Sequence, residues 1–249
     1  MGADLRAHAR GWFGEHFAGG RNMKFTDRRD AGRRLAAQLA HLKEQRPVIL
    51  ALPRGGVAVG FEIAEALDAP LDIVLVRKIG VPWQPELALG AVTDGASPST
   101  FIDRDLAAVL DVQESYVEEE TARQLEEIER RRRTYCADRP PVEISGRTAV
   151  VVDDGIATGA TMRVALQAVR RRNPARLVLA VPVGPPETIE AFGKEADEVV
   201  CPETPPALGA IGLYYRDFHQ MSDAEVTDLL TRAAEPTPKI SEPDTPRIL

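Results

Sequence analysis

Short apolar runs without charge alternate along the chain with stretches of helical period. Val48 to Leu52, Ile73 to Val76, Ala149 to Val152, Leu177 to Val181 and Val199 to Cys201 are such runs, and each reads as a buried core strand. Between them apolar residues recur at helical spacing. Ala31, Leu35, Leu39 and Leu42 share one face, and Phe61, Ile63, Ala64 and Leu67 form the core face of a helix expected over Val57 to Leu67. Val164, Ala165, Ala168 and Val169 begin another after Thr161. Asp27 followed by Asp30 has the form of an N-cap with an acid in the first turn. Arg28, Arg29, Arg33 and Arg34 then read as the solvated face of that helix, with one of them reaching a phosphate as the alternative. Alternation of this kind implies an α/β fold. It should be three-layer, with a mainly parallel central sheet and helices on both faces.

Asp103 to Tyr135 departs from the alternation and reads as a helical insertion spanning about residues 103–136. Asp111-x-x-Glu114 has capping-box form, and Val117, Thr121, Leu125, Ile128 and Tyr135 make a narrow apolar stripe. Six glutamates between Glu118 and Glu129 precede Arg130 to Arg133, an order that suits the helix dipole. The charges read as a solvated face, and the arm packs either on the core or on a second subunit. Asp223 to Arg232 reads as a short terminal helix. Residues 234–249 hold four prolines among polar residues and are expected to form a disordered tail. Residues 1–22 are glycine-rich and weakly patterned, so they read as a flexible, dispensable extension. Met23 is the expected start of the domain, which runs over residues 23–233.

Composition narrows the function classes. With 249 residues and 44% hydrophobic content, the chain can bury one good core, and aromatics at 5% make that core aliphatic. A net charge of −7 argues against a general nucleic-acid binder. No stretch approaches about eighteen apolar residues, so no membrane partner is expected and the chain reads as cytoplasmic. Cys136 and Cys201 are isolated, without metal or disulfide spacing.

The chemistry concentrates at residues 149–162. A buried strand ends at Val152, Asp153 and Asp154 follow, and then come Gly155, Ala157, Thr158, Gly159, Ala160 and Thr161 before the next helix. Backbone N–H groups and a helix N-terminus in such a loop suit a phosphate, with threonine hydroxyls as further donors. A phosphate alone has no use for two carboxylates. A sugar phosphate does, because carboxylates accept hydrogen bonds from ribose hydroxyls and help hold Mg²⁺. The loop has neither the lysine of a P-loop nor a dinucleotide fingerprint.

This stretch resembles the phosphoribosyl pyrophosphate (PRPP) loop of the type I phosphoribosyltransferases, whose form is strand, acidic pair, small residues, Thr-Gly-x-Thr. The resemblance extends over roughly residues 24–220. It implies that Asp153 and Asp154 bind the ribose hydroxyls and that the Thr158-Gly159-Ala160-Thr161 turn binds the 5′-phosphate, with Gly155 and Ala157 also substrate-binding. Arg54-Gly55-Gly56, after the first core strand, resembles the family's pyrophosphate loop. Arg54-Gly55 is accordingly the expected place of backbone strain. Arg77-Lys78-Ile79-Gly80-Val81-Pro82 resembles a segment of the adenine enzymes, with Arg77 and Lys78 on the pyrophosphate side. Trp83 to Val92 fits the family's flexible loop, with Glu86 as the nearest candidate general base. Residues 202–220 correspond to the hood, where Tyr214 is placed against the acceptor base and Asp217 beside Asp153 and Asp154 as a metal ligand.

The function implied is a phosphoribosyltransferase. It would bind PRPP and Mg²⁺ and transfer the phosphoribosyl group to a nitrogen acceptor, a nucleobase, with loss of pyrophosphate. A homodimer is the assembly expected. Ala157 stands where 6-oxopurine enzymes carry an acidic residue, so the acceptor and its base stay open. The rival readings are a PRPP- or nucleotide-sensing regulator without turnover and an interaction protein using the charged arm.

Overall fold

Period-two alternation along the strands sorts the core into two halves. Ile49, Ala51, Val150, Val152, Val178 and Ala180 lie in one buried cluster. Their neighbours Val48, Leu50, Ala149, Val151, Leu177 and Leu179 lie in another. These are the two faces of one sheet. The computed structural model describes residues 25–94, 99–137 and 139–235. The expectations for residues 1–22, for Met23 and for the tail beyond residue 235 lie outside the described residues.

Five parallel strands form the sheet, in the order β2-β1-β6-β7-β8. They are β1 (Val48–Ala51), β2 (Leu71–Ile73), β6 (Thr148–Val152), β7 (Arg176–Ala180) and β8 (Glu198–Val200). On the first face lie α1 (Arg28–Gln38), α2 (Gly55–Leu67) and α7 (Asp223–Ala234). On the second lie α5 (Ala160–Arg171) and α6 (Pro186–Phe192). The three-layer, mainly parallel α/β fold read from the sequence is therefore what the chain adopts. Asp27 caps α1 by accepting the Asp30 N–H at 2.8 Å.

The run Ile73 to Val76 is not one strand. β2 ends at Ile73, and β3 (Val76–Val81) opens a separate antiparallel sheet with β4 (Gln84–Thr93) and β5 (Ser99–Ile102). Uniform hydrophobicity hid the break, because residues on both sides of it are buried. Val74 still donates to Ala51 of the first sheet at 3.0 Å, whereas Leu75 donates to the Asp94 carboxylate at 2.9 Å. Trp83 to Val92 is likewise no loop. Pro82-Trp83 is a tight turn between β3 and β4, and Trp83 stands 62% exposed at its tip.

The insertion forms α3 (Arg104–Val109) and α4 (Glu114–Cys136). α4 packs on β3, β4 and α7 of its own chain. The expected capping box is absent: α4 is capped from Gln113 without a side-chain bond. Asp111 instead closes the turn after α3 in the left-handed region, at φ 52°, which aspartate tolerates better than most residues. Nor is the charged face wholly solvated. Glu120 is buried, accepting from Arg123 and Gln124 at 2.6 Å each. Arg132 turns inward to Asp94 at 2.8 Å and Asp72 at 3.0 Å. Asp72 also accepts the Val142 N–H at 2.8 Å. One guanidinium thus ties the arm to the crossing between the two sheets.

Burial holds the Asp94 carboxyl above the usual carboxylate range, with Leu75 N–H and Arg132 opposing the shift. Arg132→Met should cost about 3–5 kcal/mol at neutral pH, since two buried carboxylates lose their cation. Without Arg132 the folded-state value rises further above the unfolded one. Such a group destabilises the fold above its unfolded value and ceases to do so below both. Urea titrations should therefore show the deficit shrinking as the pH falls towards about 4, the ordinary Asp value.

Candidate active site

The end of β6 places the acidic pair. Val152 is still held in the sheet, accepting the Leu52 N–H at 2.9 Å, and Asp153 and Asp154 follow at the carboxyl edge, half-buried. This is where parallel α/β sheets bind ligands. The two side chains are differently anchored. Asp153 Oδ1 accepts the Asp154 N–H at 2.8 Å. Asp154 Oδ2 accepts from Arg28 Nε at 2.7 Å. Burial, and next the neighbouring Asp154 charge, push the Asp153 carboxyl well above its ordinary value. Burial also raises Asp154, with Arg28 holding it back.

Gly55 and Gly56 open α2 directly against this pair. A Cβ on Gly55 would collide with the Asp154 carboxylate and lie 2.9 Å from Arg28 Nε. One on Gly56 would lie 2.8 Å from the Val152 carbonyl and 2.9 Å from Asp153 Cα. The glycines thus let two loops touch. The cis peptide is Pro53-Arg54, one bond before the place expected. Arg54 extends towards α7, 3.8 Å from Asp223.

After the acidic pair, Ile156 is anchored by its N–H to Val183 O at 2.9 Å. Ala157, Thr158, Ala160 and Thr161 are exposed, around Gly155 and Gly159, which are buried. Gly159 takes φ 77° as the N-cap of α5, a conformation glycine adopts without strain. The first turn of α5 leaves N–H groups without intrahelical partners, so the loop and helix end together suit an anion.

Other expected residues stand elsewhere. Arg77 and Lys78 lie on β3 in the second sheet rather than at a core strand's end, because β2 had already stopped. Arg77 Nε donates to Gln124 of α4 at 2.8 Å. Lys78 is exposed, opposite Ala91. Glu86 falls within β4, and its side chain is outside the described residues. Tyr214 points its hydroxyl at Ala207 O, 3.5 Å away. Asp217 is exposed and accepts from His219 N at 3.0 Å. It joins no metal-holding cluster with Asp153 and Asp154 among the described residues. The hydrogen bond to His219 lowers the Asp217 carboxyl, and the Glu225 carboxylate, bonded to Ser222 N, is lowered to about 2.

Two other residues reach the pair, and one of them, Arg28, was expected on the solvated face of α1 but is turned inward by its bond to Asp154. Arg28 is buried, donates to His219 O at 2.8 Å and lies 3.9 Å over the Phe218 ring. Tyr215 donates its hydroxyl to Asp154 O at 2.6 Å and stacks on Phe218 with centroids 4.9 Å apart. Phe25 pairs with the same strand-like segment through Tyr214 O and Arg216 N. Arg28 was legible in principle. It shares a face with Ala31, Gly32, Leu35 and Ala36, the buried positions of α1. Tyr215 carried no local signal that separated it from Tyr214. A cavity of about 460 Å³ lies beside Arg28, between Asp27, Ala58, His219, Met221 and Leu229. It meets the acidic loop only through that arginine.

The phosphoribosyl transferase domain matches residues 25–216. The chain belongs to that family. The Mycobacterium tuberculosis (strain H37Rv) protein named "Putative phosphoribosyl transferase" is 46% identical over 209 residues, 84% of this chain and 47% of that protein. The chain thus spans about half the length of the curated relatives it matches. The solved structure of TT1426 from Thermus thermophilus is 44% identical, with a TM-score of 0.74, covering 86% of this chain and all of that one. The family match starts at Phe25, so it takes in Arg28 as well as the acidic loop. No helix among the described residues is long and apolar enough to cross a membrane.

Gly55→Ala should cost about 1–3 kcal/mol through overpacking and part Arg28 from Asp154. Denaturant unfolding reads the first effect. Unchanged stability would show that the two loops do not touch as described.

Proposed function

We propose that the protein binds PRPP with Mg²⁺ and transfers its phosphoribosyl group to a nitrogen acceptor, a nucleobase, releasing pyrophosphate. The observation that carries this reading is the seating of Asp153-Asp154 against Gly55-Gly56 at the carboxyl edge of the sheet, with Thr158-Gly159-Ala160-Thr161 following in the same loop at the amino end of α5. Each aspartate keeps one carboxylate oxygen outside the bonds to Asp154 N and Arg28, which suits two adjacent hydroxyls. The 5′-phosphate would lie at the amino end of α5. The leaving pyrophosphate would lie at the amino end of α2. The N–H of Gly56 already donates to Leu52 O at 3.1 Å, so the helix dipole and Arg54 are what remain there for the anion. Arg54 makes only a loose pair with Asp223 and can turn towards it.

Mg²⁺ fits this donor set, because it binds through one or two carboxylates and substrate oxygens and keeps its waters. When bound it neutralises charge on the departing pyrophosphate. The protein's part is positioning and electrostatic stabilisation as charge separates between sugar and leaving group. Expected outcomes follow for both halves of the reading. Asp153→Asn with Asp154→Asn should abolish PRPP binding by calorimetry while leaving the fold intact. Each charge-assisted hydrogen bond lost should cost about 1.5–3 kcal/mol. Undiminished affinity would remove the reading.

The acceptor is constrained by Ala157, which stands exposed at the loop mouth without an ionisable group. A general base has to come within hydrogen-bond reach of the proton it takes. Hypoxanthine and guanine should therefore be poorer acceptors than adenine in steady-state assays of pyrophosphate release. Robust turnover of either oxopurine would sink this, and PRPP binding without release to any base would mark a sensor.

A further inference from the structure

Arg28 and Tyr215 approach Asp154 from two sides, and neither belongs to the loop that carries it. Arg28 comes from the first turn of α1 and Tyr215 from the segment after β8. Between them lies Phe218, stacked on Tyr215 and lying under the Arg28 guanidinium. Phe25 closes the far side of Tyr215, with ring centroids 5.3 Å apart. The guanidinium has Asp154 Oδ2 on one nitrogen and His219 O on another. The phenol has the Asp154 carbonyl. Asp154 is therefore fixed at its side chain and its main chain by the same small aromatic cluster. Gly55, lacking a Cβ, leaves the room in which the Arg28–Asp154 pair forms.

A pair with so little exposure could simply be a fold staple. Two features point beyond that. Only Oδ2 is held by Arg28, which leaves Oδ1 to accept a hydroxyl. The cation also halves the formal charge of the acidic pair, so an anionic sugar can approach it. A guanidinium suits this role better than an ammonium, because its planar fork fixes direction as well as charge.

We propose that Arg28 and Tyr215 are positioning residues for Asp154, holding its carboxylate and carbonyl so that Oδ1 is presented to one hydroxyl of a vicinal diol. The inference rests on the sugar-phosphate reading above. It adds that diol recognition depends on the α1 start and on residues 215–219, outside the acidic loop. Preference for an intact diol is then set by Arg28 and Tyr215. Retention of phosphate is set separately by the amino end of α5.

Calorimetry of the full chain with ribose 5-phosphate, its 2-deoxy and 3-deoxy analogues, and inorganic phosphate separates these roles. The wild-type protein should prefer ribose 5-phosphate over at least one deoxy analogue by about tenfold or more, as expected for one hydrogen bond to a charged group. Arg28→Met should compress that ratio to within about threefold while phosphate affinity stays within about twofold. Arg28→Lys should recover part of the ratio. Tyr215→Phe keeps the aromatic stack and removes a single oxygen. It should lower the ratio about threefold, and it serves as the test if Arg28→Met does not fold. A folded Arg28→Met or Tyr215→Phe protein with the full ratio overturns the proposal. So does a variant that loses phosphate and sugar affinity in equal measure, which is the mark of a purely structural role. If the wild-type protein binds no sugar phosphate, the functional reading itself fails and the positioning role falls with it.

Discussion

Two carboxylates in sequence at the end of a buried strand repel each other and lose hydration together. Most of the architecture around Asp153 and Asp154 answers that constraint. One charge is met by the Arg28 guanidinium. The other is met by the main-chain N–H of the next residue. The amino end of α2 comes close enough to need glycine. The hydroxyl of Tyr215 then secures the main-chain carbonyl of Asp154. Compensation is partial, and both carboxyls stay above their ordinary range. A ligand bringing hydroxyl donors and a divalent cation, as proposed above, would complete it.

The same device appears a second time without a binding role. Arg132 of α4 meets Asp72 and Asp94 at the place where the chain leaves the parallel sheet for the antiparallel one. In both clusters an arginine on a helix reaches carboxylates in or just after a strand, two for Arg132 and one for Arg28. The chemistry is alike, but the surroundings differ. Asp72 and Asp94 are 2% and 5% exposed, with Asp72 also accepting backbone donors. Asp153 and Asp154 stand at the sheet's open edge, beside exposed threonines. Burial and saturation make the first cluster a fastening. Access and unsaturation make the second a candidate site.

Much of this was legible in the residues themselves. Alternating strands and helices specified a parallel α/β sheet, because periodicity depends only on local geometry. The acidic loop was legible as a strand-loop-helix unit, because its residues are contiguous and come with their own strand and helix. Gly55 and Gly56 were legible as a loop after the first core strand, but that they lie against the acidic pair was not. The helical arm was legible as a helix. Which of its charges turned inward was not, since Arg132 and its neighbours share one composition.

What the tertiary structure alone decided are the partners that lie far apart in sequence. Arg28 meets Asp154 across 126 positions, and Tyr215 meets it across 61. Arg77 went to Gln124, and Tyr215, next to Tyr214, is the tyrosine that reaches Asp154. The sequence by itself determined most of the helices and core strands and the one contiguous loop suited to an anion, through short-range periodicity and contiguous motif. Which distant side chains complete that loop was decided by packing, since a one-residue shift in register reverses the direction a side chain faces.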